Sequence, residues 1–251
     1  NADYIEQDVV SSKDGELIVL HDRELGSTTN VHLKGFKKTF KPLLDRISLE
    51  TLEEEEDFFV EDFTLEELRS LRVRQRFEFR DKAYDYLFPI HTLREVFQYA
   101  EGKNQERAKL NKKPVGLYIE LKHPIYFEGI GLFMEEKFLR LLEEFEYIQP
   151  LDKISSDEDS HDLLQWKVNP SKSFIIQCFE GKALRFFKER IEGVITIHLI
   201  KENHRIIQED DTEKTYGDLL TEEGLKQVAS YANGIGPHKT SILIFGENGE
   251  R

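Results

Sequence analysis

Short apolar runs recur along this chain, each followed by a stretch with helical spacing. That alternation constrains the fold more than any other feature. Tyr4–Val10, Val115–Leu121, Ser173–Phe179, Val194–Ile200 and Gly234–Gly236 read as strands. Val115–Leu121 (VGLYIEL) is apolar almost throughout, as suits a strand buried on both faces. Between the runs, Leu93, Val96 and Phe97 mark one helix, and Met134, Phe138, Leu141, Leu142 and Phe145 a second. Lys182–Arg190 and Thr221–Tyr231 read as further helices. Strands alternating with helices predict a parallel sheet built from β-α units, hence an α/β fold. A length of 251 residues fits one large domain spanning 1–251.

Local signals sharpen this. Thr64-Leu65-Glu66-Glu67 and Thr92-Leu93-Arg94-Glu95 are capping boxes, opening helices expected through Leu71 and about Ala100. The Met134–Phe145 stripe is expected to be core packing. The first strand meets turn chemistry at Ser11–Gly15, where Asp14-Gly15 favours a hairpin, and returns as Leu17–Leu20. Residues 23–62 show no sustained period, and the acidic run Glu53–Asp57 reads as a solvated loop. Asp157–Asp162 reads as a second acidic loop, and Trp166 falls in that loop region.

A formal charge of −14 argues against a nucleic-acid partner, which calls for a basic face. A small phosphate ester stays compatible, because a bound cation reverses the local field. No run approaches the roughly 20 apolar residues of a membrane span. Cys178 is the single cysteine, so no intrachain disulfide framework is possible. Asn1-Ala2-Asp3 runs straight into the apolar-rich Tyr4-Ile5, so residues upstream of Asn1 are expected.

Glu6 and Asp8 stand two apart on a strand, hence on one face. Two carboxylates that close repel, and a hard divalent cation relieves both repulsion and desolvation. The same pattern also occurs on plain exposed strand faces. Glu120, in the otherwise apolar Gly116–Leu121, needs a partner. That partner is either a shared cation or Lys122, in a structural ion pair. Glu120 lies at the carboxyl end of its strand, where barrel active sites lie. An antiparallel return brings His21 back to the level of Glu6 and Asp8, where an imidazole can serve as general acid or base. His123, His161, His198, His204 and His238 gain no role from spacing. Zinc spacings, a phosphate-cradling glycine loop and a Gly-x-Ser-x-Gly elbow are all missing from the sequence.

The run ADYIEQDVVSSKDGELIVLHD (Ala2–Asp22) resembles the second strand and hairpin of the glycerophosphodiester phosphodiesterases. Thr28–Val31, Phe63–Asp81, Pro89–Val96, Val115–Lys122, Ile175–Phe179 and Tyr231–Pro237 continue the likeness in the family's order. The Arg-Gln-Arg-Phe-x-Phe-Arg-Asp block is similar to the longer periplasmic-type and eukaryotic secreted-type branch. That branch favours a secreted, periplasmic-like or organellar lumenal location. The resemblance implies a TIM (β/α)8 barrel. It also implies hydrolysis of glycerophosphodiesters, as small-molecule substrates, to an alcohol and glycerol 3-phosphate.

Carried over by position, Glu6, Asp8 and Glu120 would ligate Ca²⁺ or Mg²⁺, and His21 would be one of two catalytic histidines. Lys122 would hold a phosphate oxygen, and Gln177 and Phe179 would line the substrate pocket. The family's first strand, ending His-Arg-Gly, and its last two strands have no counterpart between Asn1 and Arg251. The chain is therefore expected to hold the second to sixth barrel strands and to be inactive and poorly folded alone. The alternatives are a catalytically inactive binding or regulatory barrel and a phospholipase D-like relative with an apolar entrance.

Overall fold

The computed structural model describes residues 2–42, 44, 54–151, 165–202, 207 and 214–242. Strand β1 (Tyr4–Ser11) turns back into β2 (Leu17–Val19). A ribbon of β3 (Thr39–Pro42) and β4 (Glu54–Asp57) follows, then α1 (Leu65–Arg69) and α2 (Leu93–Lys109). Next come β5 (Gly116–Leu121), α3 (Pro124–Gly129), α4 (Met134–Glu144), β6 (Ile148–Pro150) and β7 (Trp166–Val168). The described chain closes with β8 (Phe174–Cys178), α5 (Gly181–Arg190), β9 (Ile191–Glu192) and β10 (Thr196–Ile200). After these stand α6 (Tyr216–Leu219), α7 (Glu222–Ala229) and β11 (Gly234–Pro237).

Strands β1, β5, β8, β10 and β11 run parallel and lie side by side in chain order. Strand β2 pairs antiparallel with the other edge of β1. A doubly wound sheet reverses its strand order at a switch point. An order that follows the chain without reversal is that of the TIM barrel, and the fold is of that type. No helix among the described residues is long and apolar enough to cross a membrane.

Register divides the sheet into two faces. Asp8 pairs with Glu120, Glu120 with Gln177, and Gln177 with Ile197, so these four share one face. Val9, Leu117, Ile119, Leu121, Ile176, Cys178 and His198 share the other and are buried. Helix α5 packs there against β8 and β10. Each such aliphatic side chain contributes about 1.5–3 kcal/mol by leaving water. The α4 stripe is core as expected, with Met134, Phe138, Leu141 and Leu142 buried. Phe138 meets Phe97 of α2 and Phe187 of α5 edge to face.

Both capping boxes form: the Thr64 amide donates to Glu67 Oε2 at 2.8 Å, and the Thr92 amide to Glu95 Oε2 at 2.9 Å. Three expectations need correcting. Helix α2 runs on to Lys109, because the apolar period ends before the helix formers do. Its Asn104 also brackets Val115, accepting from the amide at 2.7 Å and donating to the carbonyl at 3.0 Å. Glu54–Asp57 is a strand rather than a loop, and its register sets Lys41 opposite Glu55. The Lys41 ammonium itself reaches past the ladder to Asp62 Oδ1 at 2.6 Å. Trp166 lies in β7, between β6 and β9. The acidic stretch Asp157–Asp162, His161 and His204 lie outside the described residues.

A buried ion pair ties the segment after β2 to the barrel. Arg23 Nη2 donates to Glu61 Oε1 at 2.5 Å, with both side chains almost fully buried. The Tyr126 hydroxyl of α3 donates to the same oxygen at 2.8 Å, and the guanidinium lies 4.0 Å from the Tyr126 ring centre. Such a pair holds the segment carrying His21 and Asp22 against the end of β5.

His198 carries a pH dependence. It is buried on β10, its Nδ1 is 2.9 Å from the Tyr231 hydroxyl, and burial, then Arg185, lower its pKa to about 4. In the unfolded chain the group titrates near 6.5. Its contribution is therefore complete above the unfolded value and is lost as pH falls toward the folded one. Chemical denaturation at about pH 6.5 and about pH 5 should show roughly 2 kcal/mol lost from this group. His198→Gln should flatten that part of the profile; an unchanged slope would assign it to other groups.

Candidate active site

The hairpin positions His21 and β1 together. Val9 pairs with Val19, and the Leu20 amide donates to the Asp8 carbonyl at 3.1 Å. His21, next in line, therefore returns to the level between Glu6 and Asp8. Across the sheet, Glu120 stands beside Asp8 at the carboxyl end of β5. One carboxylate oxygen from each of Glu6, Asp8 and Glu120 lies within 4.8 Å of the other two. The sheet thus brings together the three carboxylates that the sequence singled out.

Their charges are poorly balanced. Lys122 Nζ is 2.9 Å from Glu120 Oε1 and 3.4 Å from Asp8 Oδ1, one ammonium against three carboxyl groups. Burial, opposed by Lys122 and reinforced by Asp8, raises the pKa of Glu120 to about 7. Burial and Asp8 also raise Glu6, although Gln177 Nε2 donates to its Oε1 at 2.9 Å. This oxygen-only donor set with excess negative charge fits a hard divalent cation such as Ca²⁺ or Mg²⁺.

His21 is held from behind. Its Nδ1 lies 2.5 Å from Asp22 Oδ1, and the Arg76 guanidinium pairs with the other Asp22 oxygen. An ionised carboxylate only accepts, so Nδ1 donates to Asp22 and leaves Nε2 as the ring's other polar position. His21 side-chain exposure is 58%, which leaves the ring open to a substrate. It borders a cavity of about 320 Å³ that Asp22, Arg76 and His123 also line.

A second, smaller cleft of about 30 Å³ is lined by Glu120, Lys122, His123, Phe179, Lys201 and Tyr216. Lys122 and Lys201 lie 6.0 and 5.0 Å from the Phe179 ring centre. Phe179 therefore lines this cleft, whereas Gln177 stands beside Glu6. Sequence reasoning missed Tyr118, His123, Lys201 and Tyr216. Tyr118 was legible by period two from Glu120, and its register partner is Glu6. Burial, then Glu6 and Glu120, raise its pKa and keep the phenol a donor. His123 borders both clefts in a left-handed backbone conformation, φ 50°, which costs a non-glycine residue about 1–2 kcal/mol. Nothing in its spacing foretold that.

Fold and site together define the class: a TIM-barrel protein in which a carboxylate trio and a histidine meet at the strand ends. Residues 1–133 match the Glycerophosphoryl diester phosphodiesterase family, and the chain belongs to that family. It is 31% identical to the Arabidopsis thaliana glycerophosphodiester phosphodiesterase GDPD6 over 98% of its length and 60% of that protein's. It is 26% identical to the Haemophilus influenzae glycerophosphodiester phosphodiesterase over 94% of its length and 61% of that protein's. The chain thus spans about three-fifths of these relatives. An Oleispira antarctica phosphodiesterase, solved with its product sn-glycerol-3-phosphate, matches in fold with a TM-score of 0.55 at 14% identity. That match covers 96% of this chain and 65% of that one.

Proposed function

We propose that this protein hydrolyses glycerophosphodiesters to an alcohol and glycerol 3-phosphate, with Ca²⁺ or Mg²⁺ held by Glu6, Asp8 and Glu120. The observation that carries the reading is the meeting of those carboxylates with Lys122 and His21 at one end of the sheet. Family membership and the names of the relatives support the substrate class. A bound cation would polarise a phosphoryl oxygen and neutralise charge developing there.

The chain's own residues account for the rest. Lys122 meets a non-bridging phosphate oxygen, and Phe179 walls the cleft beside it. As the oxygen of a water molecule bonds to phosphorus and its proton passes to solvent, the bond to the alcohol oxygen breaks. Protonated His21 gives that oxygen its Nε2 proton, while Asp22 keeps the ring oriented through Nδ1. Tyr118, kept protonated, donates to oxygens on the same face.

The test is to incubate the purified full-length protein with glycerophosphocholine and measure glycerol 3-phosphate and choline. Equal release of both, lost with a chelator and restored by Mg²⁺ or Ca²⁺, is the expected result. Cation binding without hydrolysis would instead indicate a binding barrel.

A further inference from the structure

The loop from Phe77 to Phe88 breaks the ordinary rule for a surface. Phe77, Phe79, Tyr84, Tyr86, Leu87 and Phe88 are all exposed, Phe79 to 82%. Scattered single apolar residues on a surface need no explanation, but a contiguous patch marks an interaction site. The rings are interleaved with cations. Arg76 and Arg80 lie over the Phe77 ring at 5.0 and 5.2 Å, and Arg80 over Phe79 at 5.7 Å.

The loop is built rather than slack. At its base, the Tyr86 amide donates to the Val73 carbonyl at 2.8 Å and the Val73 amide to Phe88 at 3.0 Å. The Gln75 amide donates to Asp85 Oδ1 at 2.7 Å, and the Phe77 amide to Gln75 Oε1 at 3.0 Å. Arg80 to Phe77 and Leu87 to Tyr84 close turns farther out, and Tyr84 stacks on Phe88. The backbone therefore satisfies itself while presenting rings to solvent. The loop also reaches the candidate active site, because Arg76 pairs with Asp22 beside His21.

We infer that this loop docks the protein on a phospholipid surface containing anionic head groups. Aromatic rings partition to the head-group level of a bilayer, and neighbouring arginines meet lipid phosphates there. A ring as exposed as Phe79 would need a matching pocket on a protein partner, whereas lipid supplies hydrocarbon anywhere. Local charge agrees with the rings. Residues 72–88 hold Arg72, Arg74, Arg76, Arg80 and Lys82 against Glu78, Asp81 and Asp85, in a chain of net charge −14. The loop is locally positive and so is drawn to an anionic surface, and docking there brings the mouth beside His21 to the lipid boundary. The inference does not depend on the proposed reaction.

Co-sedimentation of the full-length protein with vesicles of phosphatidylcholine, with and without phosphatidylserine, tests it. Binding is expected to be stronger with phosphatidylserine and to weaken with salt. Phe79→Ser with Phe88→Ser should lower the partition coefficient by about tenfold or more, from lost ring burial. Its thermal melt should match the parent protein, since both rings are already exposed. Arg80→Glu should weaken binding to the anionic vesicles and leave neutral ones unaffected. No binding to either vesicle, or binding that the double variant keeps, overturns the inference. So does concentration-dependent self-association that the double variant abolishes without vesicles, which would assign the patch to a second copy.

Discussion

Glu120→Gln is expected to abolish stabilisation by Mg²⁺ or Ca²⁺ and to lower glycerophosphodiester hydrolysis by ~10²-fold or more. Even partners outside the inner ligand shell of a metal cost about 10–100-fold when removed, so an inner ligand should reach the upper end. Binding has its own readout. A cation at about 100 times its Kd adds roughly 2.7 kcal/mol, which for a domain of this size raises Tm by about 5–10 °C. The variant should show no such rise.

Without cation, Glu120→Gln should melt at or above the parent temperature. Glu120 is buried, faces Asp8 and is driven by burial toward its neutral form, so an amide there removes a desolvated charge. A clear loss of stability in cation-free buffer would instead give Glu120 a purely structural role in its ion pair with Lys122. Melting curves with and without cation, beside activity, separate the two roles.

His21→Ala should slow release of choline from glycerophosphocholine by about 10²–10⁴-fold, the usual contribution of a general acid. The leaving alkoxide is a poor leaving group and needs a proton, which His21 Nε2 is proposed to supply. A nitrophenyl phosphodiester departs without that help, so the loss should shrink sharply with it. Equal losses on both substrates would assign His21 to positioning or to attack on phosphorus. Cation-induced stabilisation should survive in this variant, since His21 is not among the proposed oxygen ligands.

Much of this was legible from pattern because the patterns were short-range. Period two put Glu6 and Asp8 on one face, and an acidic residue in an apolar strand marked Glu120. The turn at Asp14-Gly15 folded His21 back between them. Each inference needed only a strand and its neighbour. Residues 23–62 were opaque for the opposite reason. Their ribbon is held by Lys41 against Asp62 and by the buried Arg23–Glu61 pair, contacts between residues far apart in sequence that carry no period. His123, Lys201 and Tyr216 were missed likewise, because they reach the cleft from the ends of separate elements. Helix α2 outran its apolar stripe because its last turns are held by charged helix formers and by Asn104, not by burial.

The proposed reaction depends on Glu6, Asp8 and Glu120 holding one divalent cation. Crystals of the protein soaked in Mn²⁺, an oxygen-seeking stand-in for Mg²⁺, test this directly by anomalous scattering. One strong peak is predicted, with oxygens of all three carboxylates at about 2.0–2.6 Å. Soaked crystals that show no peak among these carboxylates, from protein whose hydrolysis still requires the cation, would contradict it.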